Sequence, residues 1–599
     1  MTFLAAAVTR LSLAGWPCLL YSTVATLMDF AHRNSKKERR PLSLLNTELL
    51  PVQSTKYLGV YFDQHLDWAT QHNYAMEKGT KWTAQIRRAA APSWGITPKH
   101  ARRLYISVAI PRILYAVDVW GSQSQRGITP RTIGVTSTRI NKLTSIQRAG
   151  AIAITGGLRT SPTDVLDAHA FTLPISLEIE KHLFRAAICI ATLPPEHPLH
   201  TPAKKCATKM VKRHKSPLHE LMQAFNIKPS LFETISTTGG NPARAHIRPF
   251  KLDIAKNKDA SIMADTEGNE KVKIYSDGSA QNGKVGAAAV LIRPGKKPRT
   301  LHYHLGTTEH HTVFEAELVG LILGLHLIKT EKTSRTTFAL GADNMAALSA
   351  VATPSNRSGH HLAHTFMNAA TNLKKKSGKT KYSLTIRWTA GHVNIEGNEL
   401  ADKEAKLAAE GLTSAADLLP RPLKKPLKLN KSAAKQHFNA KLKSLWKERW
   451  LESPRVERIK HIDDSLPSQK FLKLISVPEL SRKGASWLFQ LRSSHIPLNV
   501  YLHRFKRMDS AQCPACGHHA ETPQHFLLDC PAYAYERWPL MARKSPSNRE
   551  YTKMLGNSKK AIPIMTYIQA TGRFMQEVSR KDRVEAGRNG REAHRRDNH

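Results

Sequence analysis

Four acidic residues in a strongly basic chain stand where one site could gather them. Asp277 lies in Tyr275-Ser276-Asp277-Gly278-Ser279, Glu317 in Glu315-Ala316-Glu317-Leu318, Asp343 in Gly341-Ala342-Asp343-Asn344, and Asp402 in Asn398-Glu399-Leu400-Ala401-Asp402. Cutting a phosphodiester requires an activated water and a stabilised leaving oxygen, and two Mg²⁺ ions about 3.5–4 Å apart can supply both. Mg²⁺ prefers oxygen ligands and keeps several waters, so a few carboxylates hold it; Mn²⁺ is the natural substitute. His392, ten residues before Asp402, suits proton transfer or product release. The pattern points to a carboxylate cage that cuts a nucleic-acid backbone.

A second group could hold a different metal. Cys513, Cys516, His525 and Cys530 are spaced C-x2-C-x8-H-x4-C, which suits tetrahedral Zn²⁺. Four protein ligands leave no open position, so the site would be structural. His518 and His519 are rival ligands, though too near Cys516 to close a comfortable loop. Cys18, Cys189 and Cys206 are scattered, and six cysteines in 599 residues make no disulfide scaffold.

The elements that must position the acids can be read from periodicity. Val272 to Ser276 alternates and Gly278 breaks it, which places Asp277 near a strand end. Val285–Ile292, Thr300–Leu305, Thr337–Leu340 and Leu384–Trp388 are further strands. Glu315–Lys329, Asn344–Ala352, His361–Lys375 and Asn398–Glu410 are helices. Three antiparallel strands followed by strand–helix alternation give an α/β domain with a mixed five-stranded sheet and flanking helices. Glu315 and Glu317 point about 200° apart on a helix, so only one can face the metals.

Net charge is +43 with 41% hydrophobic residues. This is a chain with buried cores and a phosphate-rich partner rather than an acidic one. No basic amphipathic segment speaks for a membrane. Leu11 to Leu27 is apolar but short for a span, interrupted by Trp16-Pro17-Cys18 and without a clear cleavage site. It is read as a ragged start rather than a targeting signal, which implies a nuclear or cytoplasmic protein. Asp463-Asp464, the one Asp-Asp pair, lacks flanking strands and is expected in a solvated loop or helix cap.

The acidic motifs, in order and spacing, resemble type 1 ribonuclease H over about 140 residues. The resemblance implies that Asp277, Glu317, Asp343 and Asp402 bind two Mg²⁺ and that His392 carries a proton. The substrate it implies is the RNA strand of an RNA–DNA hybrid. It selects Glu317, the acid directly before Leu318, over Glu315. Val313-Phe314 replace the paired Asn with which bacterial members read the hybrid, leaving Asn282 and Thr312 as weaker candidates for backbone contacts.

Lys56-Tyr57-Leu58-Gly59-Val60, Pro111-Arg112-Ile113-Leu114-Tyr115 with Trp120, and Ile146-Gln147-Arg148-Ala149 through Arg159-Thr160 resemble the thumb and connection of fungal non-LTR retrotransposon reverse transcriptases. The cysteine region resembles the C-terminal knuckle of the same proteins. Leu27-Met28-Asp29-Phe30 is read as a palm remnant. Without the paired aspartates of a palm, no DNA polymerase activity is expected.

The expected layout is a ragged start (1–39), a mostly helical thumb/connection-like domain (40–191), a linker (192–270) and the ribonuclease H-like domain (271–411). A second linker (412–432), a helical module with the zinc knuckle (433–576, ligands within 513–530) and a disordered basic tail (577–599) complete it. The leading function is hybrid-specific endoribonuclease within a truncated retrotransposon protein, with a place in a larger retrotransposon ribonucleoprotein by that resemblance. The alternatives are a non-catalytic nucleic-acid-binding remnant and a host ribonuclease H.

Overall fold

Short β-rich runs separated by Asn282-Gly283 and Pro294-Gly295 can only turn back on themselves, and they do so at the heart of the sheet. In the computed structural model six strands are β1 (Lys251–Asp253), β2 (Val272–Gln281), β3 (Lys284–Arg293), β4 (Lys296–Thr307), β5 (Thr337–Ala342) and β6 (Ser383–Trp388). Their order across the sheet is β1-β6-β5-β2-β3-β4. The β2–β3–β4 part is antiparallel, and β1, β6, β5 and β2 run parallel. Five helices accompany the strands: α1 (Lys258–Thr266), α2 (Val313–Lys329), α3 (Met345–Ala352), α4 (His360–Lys376) and α5 (Glu396–Glu410).

The structure describes residues 26–30, 40–44, 47–121, 137–209, 216–236, 248–331, 337–376, 383–391, 393, 395–541 and 548–574. His392, the apolar stretch up to residue 25 and the expected tail from 577 lie outside them. The chain divides into two compact units, residues 181–442 and residues 1–180 with 443–599. The first of these carries the six-stranded sheet.

Alternation along the strands separates two cores. Ile274, Ala289 and Leu291 pack with Leu318, Leu321 and Leu325 of α2 and with Phe366 of α4. The intervening Tyr275 and Val290 pack with Ile395 and Ala401 at α5. Ala287, Ala288 and Ala289 are all fully buried, so small side chains let helices approach β3 from both sides. Gly286 is the closest approach: a Cβ there would lie 2.0 Å from the backbone nitrogen of Ala409 in α5.

Several sequence expectations are corrected. The sheet has six strands, not five; β1 comes from the stretch 192–270 expected as a linker. Three residues are too few to show a period, and β1 is held as an edge strand by pairing with β6 and by Arg387, which reaches Asp253 at 3.2 Å and Glu270 at 2.9 Å. The same stretch forms helix Pro217–Ala224, as the pattern from Leu218 to Phe225 implies, and a further helix, His200–Thr208. Asp277 sits in the middle of β2 rather than at its end, because Gly278 continues the strand. Gly278 is needed for a different reason: a Cβ there would meet the Glu317 backbone nitrogen at 2.4 Å.

The expected linker 412–432 is also ordered. Leu419 and Leu423 are buried in the α2 core. Thr413 and Ser414 hydroxyls accept hydrogen bonds from the His304 and His302 backbone N–H groups, both at 2.9 Å. Those N–H groups belong to β4, the edge strand, whose free donors would otherwise invite pairing with another chain.

In the other unit, Ser54 to Asp63 form a hairpin. Ser54–Tyr57 and Val60–Asp63 pair around Leu58 and Gly59, with φ 47° and 84°. Thr97 caps helix Pro98–Leu104 with Pro98 in its first turn, as its sequence implies. Asp463 is neither solvated nor a helix cap. It is buried, and its Oδ2 lies 2.7 Å from the guanidinium of fully buried Arg492. Asp464 beside it is exposed. Arg492 also donates to the Leu555 carbonyl at 2.8 Å and lies over the Phe471 ring. A cation this deep requires the carboxylate.

No helix among the described residues is long and apolar enough to cross a membrane. Gly286→Ala should lower the stability of the sheet-bearing unit by about 1–3 kcal/mol, since the α5 backbone must move; a urea melt followed by far-UV circular dichroism measures it. Asp463→Ala strands Arg492 without its counter-charge and should cost the other unit about 3–5 kcal/mol, read as a drop in its own denaturation midpoint.

Candidate active site and cysteine cluster

Three elements bring three of the four acids together. Asp277 projects from β2 opposite Ala288 of β3. Glu317 follows the first turn of α2, whose start is fixed by a capping box: Thr312 accepts from the Glu315 N–H, and the Glu315 carboxylate accepts from the Thr312 N–H at 2.9 Å. Asp343 directly follows β5, and Asn344 caps α3 by accepting from Ala346 and Ala347 N–H groups. One carboxylate oxygen from each of Asp277, Glu317 and Asp343 lies within 4.8 Å of the others.

Supporting groups pin this arrangement. Asn344 Nδ2 donates to Glu317 Oε1 at 3.4 Å, and Trp388 Nε1 donates to the Asp343 carbonyl at 2.9 Å. Gly391 leaves room for Asp343, whose Oδ2 would be 2.9 Å from a Cβ there. Sequence reasoning missed Asn344 and Trp388 as supports, although a helix-capping Asn after a strand is a readable signal.

Crowding shows in the electrostatics. Burial, then the charges of Asp343 and Asp402, push Asp277 up to about 7. Glu317 is raised well above the ordinary carboxylate range by burial first and then by Asp277 and Asp343, against a lowering bond from Asn344. Glu317 Oε2 is buried without a hydrogen-bond partner among the described residues. Hard oxygen donors, like charges and an unpartnered buried oxygen together fit a divalent cation.

Asp402 stands outside this group. It lies on α5, and its Oδ2 is 2.6 Å from Lys406 Nζ, although its charge still acts on Asp277. Glu315 is fully buried and engaged in the capping box, so Glu317 is the acid that joins the group. Thr312 is that helix's cap. Asn282 has φ 51° in the tight turn between β2 and β3. Phe314 packs with its ring 5.6 Å from His360. His392 lies outside the described residues.

Cys513, Cys516, His525 and Cys530 also converge within 4.8 Å. Cys513 Sγ and Cys530 Sγ are 3.9 Å apart, and Cys516 Sγ lies 3.3 Å from His525 Nε2. A tetrahedron with Zn–S bonds of about 2.3 Å has S–S edges of roughly 3.8 Å, so soft donors and spacing both fit Zn²⁺. The Cys513 N–H donates to the His518 carbonyl at 2.8 Å and the Gly517 N–H to the Cys513 carbonyl at 2.9 Å, with Gly517 at φ 77° closing the loop. His518 stays outside the group, stacked on His525 at 4.4 Å. Burial, then the neighbouring Cys516 thiol, pushes Cys530 up to about 12.

Comparison with known proteins bears on the sheet-bearing unit. Residues 269–410 match the RNase H family model. A stretch of 127 residues is 30% identical to the retrovirus-related Pol polyprotein from type-1 retrotransposable element R1 4 of Nasonia vitripennis, covering 21% of this chain and 29% of that protein. The chain thus spans less than a third of the relative it matches. Similar solved structures include RNase H1 from the archaeon Halobacterium salinarum NRC-1 (18% identical, TM-score 0.19, 24% of this chain and 98% of that one). The N-terminal RNase H domain of a Mycobacterium tuberculosis protein is 19% identical with TM-score 0.18, over 23% of this chain and 98% of that one. Residues 269–410 are an RNase H domain in a chain similar over part of its length to a retrotransposon Pol polyprotein.

Proposed function

We propose that this chain hydrolyses the RNA strand of RNA–DNA hybrids as an endonuclease within a retrotransposon protein. The convergence of Asp277, Glu317 and Asp343 within 4.8 Å, in a domain matched by the RNase H model, carries this reading. Asp277, Glu317 and Asp343, with Asp402 as fourth acid, would hold two Mg²⁺, or Mn²⁺ in their place. When bound, such ions supply the positive charge that favours an ionised water and a leaving alkoxide. The chain's own part is to fix the acids. Gly278 lets α2 close on β2, Asn344 orients Glu317, and Trp388 and Gly391 seat the Asp343 loop. His392 is the proposed proton carrier beside them, and Asn282 and Thr312 are proposed as weak backbone contacts to the substrate.

The neighbouring features extend the proposal. Residues 40–191 are read as a thumb/connection-like holder of nucleic acid. Cys513, Cys516, His525 and Cys530 would hold a structural Zn²⁺. No polymerase activity is part of this reading. A second reading, a non-catalytic nucleic-acid-binding remnant, is favoured by one observation: Asp402 is paired with Lys406 at 2.6 Å rather than grouped with the other three acids.

Labelled RNA–DNA hybrid incubated with Mg²⁺ separates the two. Asp277→Asn should cut hybrid cleavage by at least the roughly 10–100-fold that loss of even an outer partner of a metal ligand costs. Its melting temperature without metal should not fall, because the raised Asp277 is already disfavoured as an anion. Equal cleavage by both proteins, or none by either, would sink the assignment of catalysis to these acids. For the cysteine group, elemental analysis should find one equivalent of zinc, lost in Cys530→Ser. Chelation should unfold the surrounding segment, since binding contributes about 10–16 kcal/mol in small zinc sites.

A further inference from the structure

The later turns of α2 border a hollow that the hydrolytic reading does not use. Ile322, Leu325, His326 and Lys329 line it, at the i, i+3, i+4 and i+7 spacing of one helix face. Glu317 precedes these residues by five to twelve positions, which places the hollow roughly 8–18 Å along the helix axis from it. Ala369 and Leu373 of α4 supply a second wall, and Pro420-Arg421-Pro422 a third. The volume is about 350 Å³, within the roughly 300–1,000 Å³ of small-molecule pockets.

The third wall is held in place by the protein itself. Leu419 and Leu423 are buried in the α2 core, and the Leu423 N–H donates to the Pro420 carbonyl at 2.8 Å across one tight turn. The two prolines fix their own φ at about −65°. His326 is half-buried, and a hydrogen bond from its ring to the Leu418 backbone ties the start of this wall to α2. Burial, then Lys329, push that imidazole below its ordinary range against the bond to Leu418, so at neutral pH it is an uncharged clamp. A wall already in place costs a ligand little ordering of the protein.

Floor and rim differ in chemistry. Ile322 and Leu325 are buried, and the floor is hydrocarbon. Lys329, Lys375 and Arg421 are exposed at the edge of the same hollow. No Asp or Glu is among the described residues that line it. Glu331, two positions after Lys329, is taken by Arg293 at 2.5 Å and Arg299 at 3.2 Å. Unmatched like charges around an apolar mouth do not stabilise a fold; they complement an anion with an apolar body.

We infer that this hollow binds a small amphipathic carboxylate, its hydrocarbon body seated on Ile322, Leu325, Ala369 and Leu373 and its anionic head between Lys329, Lys375 and Arg421. Affinity comes from the apolar area removed from water. The cations orient the ligand and reject an amine of the same length, and the planar fork of Arg421 matches both oxygens of a carboxylate. The site is separate from the carboxylate cluster and does not rest on the hydrolytic reading.

The test uses the full chain and sodium decanoate, kept below micelle-forming concentration and followed by isothermal titration calorimetry. One equivalent should bind, and decylammonium, the same chain with the opposite charge, should show no saturable binding. Lys329→Gln with Arg421→Gln should weaken decanoate about 10-fold or more, the scale of one lost hydrogen bond to a charged group. Lys296→Gln with Lys297→Gln, exposed at the start of β4 in the same unit, should leave it within about 2-fold, since distant surface charges are screened. Ala369→Phe fills the hollow and should abolish binding with every rim charge in place. Far-UV circular dichroism monitors folding; if Ala369→Phe unfolds the unit, the exposed rim pair, which removes no packing, decides the matter alone. Equal losses from the two Gln pairs, undiminished binding in the rim pair or in folded Ala369→Phe, or decylammonium binding as tight as decanoate would each overturn the inference. So would a stoichiometry well above one, the mark of detergent-like adsorption, or displacement of decanoate by a micromolar acidic peptide or oligonucleotide.

Discussion

Three carboxylates forced within 4.8 Å of one another are the constraint to which the RNase H domain is built. Left free, such groups move apart or take up protons. They are held by a sheet whose centre has almost no side-chain bulk: Gly286, Ala287, Ala288 and Ala289 on β3 and Gly278 on β2 let α5 and α2 press close. The small residues and the acids are therefore parts of one device. Close helix approach removes the slack by which Asp277 and Glu317 could relax, and Asn344 and Trp388 remove it from the Asp343 side.

The second cluster is held by different means. At Cys513, Cys516, His525 and Cys530 the local backbone supplies the order, through carbonyl and amide contacts between Cys513, Gly517 and His518. The carboxylate cluster draws on residues from 277 to 343, so its shape needs the whole sheet. The cysteine cluster draws on a run of eighteen positions, 513–530, and needs mainly its own loop. Each donor set matches its scaffold: hard oxygens on a stiff sheet, soft sulfurs on a short loop.

Legibility in the sequence follows the range of the forces. Apolar runs such as those of α2 and β3 are readable as buried elements, as is the cap at Thr97. Glu317 over Glu315 is legible from the motif, and the capping box supplies the physical reason. The failures come where long-range pairing decides. Three residues of β1 carry no period and exist through β6. Asp463 reads as a surface residue until Arg492, on a distant helix, is known to be buried against it. Asp277 reads as a strand-end residue only while Gly278 counts as a stop, whereas that glycine marks where another backbone passes. Asp402 fits the motif pattern, yet its carboxylate turns to Lys406, one helical turn away on α5.

The hydroxyls of Thr413 and Ser414 on the β4 edge carry a consequence for what counts as the unit of folding. The family motif ends at residue 410, but the groups that close the sheet's outer border, and Leu419 and Leu423 that fill the floor beneath α2, come after it. A fragment trimmed to the motif would keep its whole carboxylate set while leaving a strand border open to self-association. In this chain the boundary of the chemistry and the boundary of the self-sufficient body are different places, and excision has to follow the second.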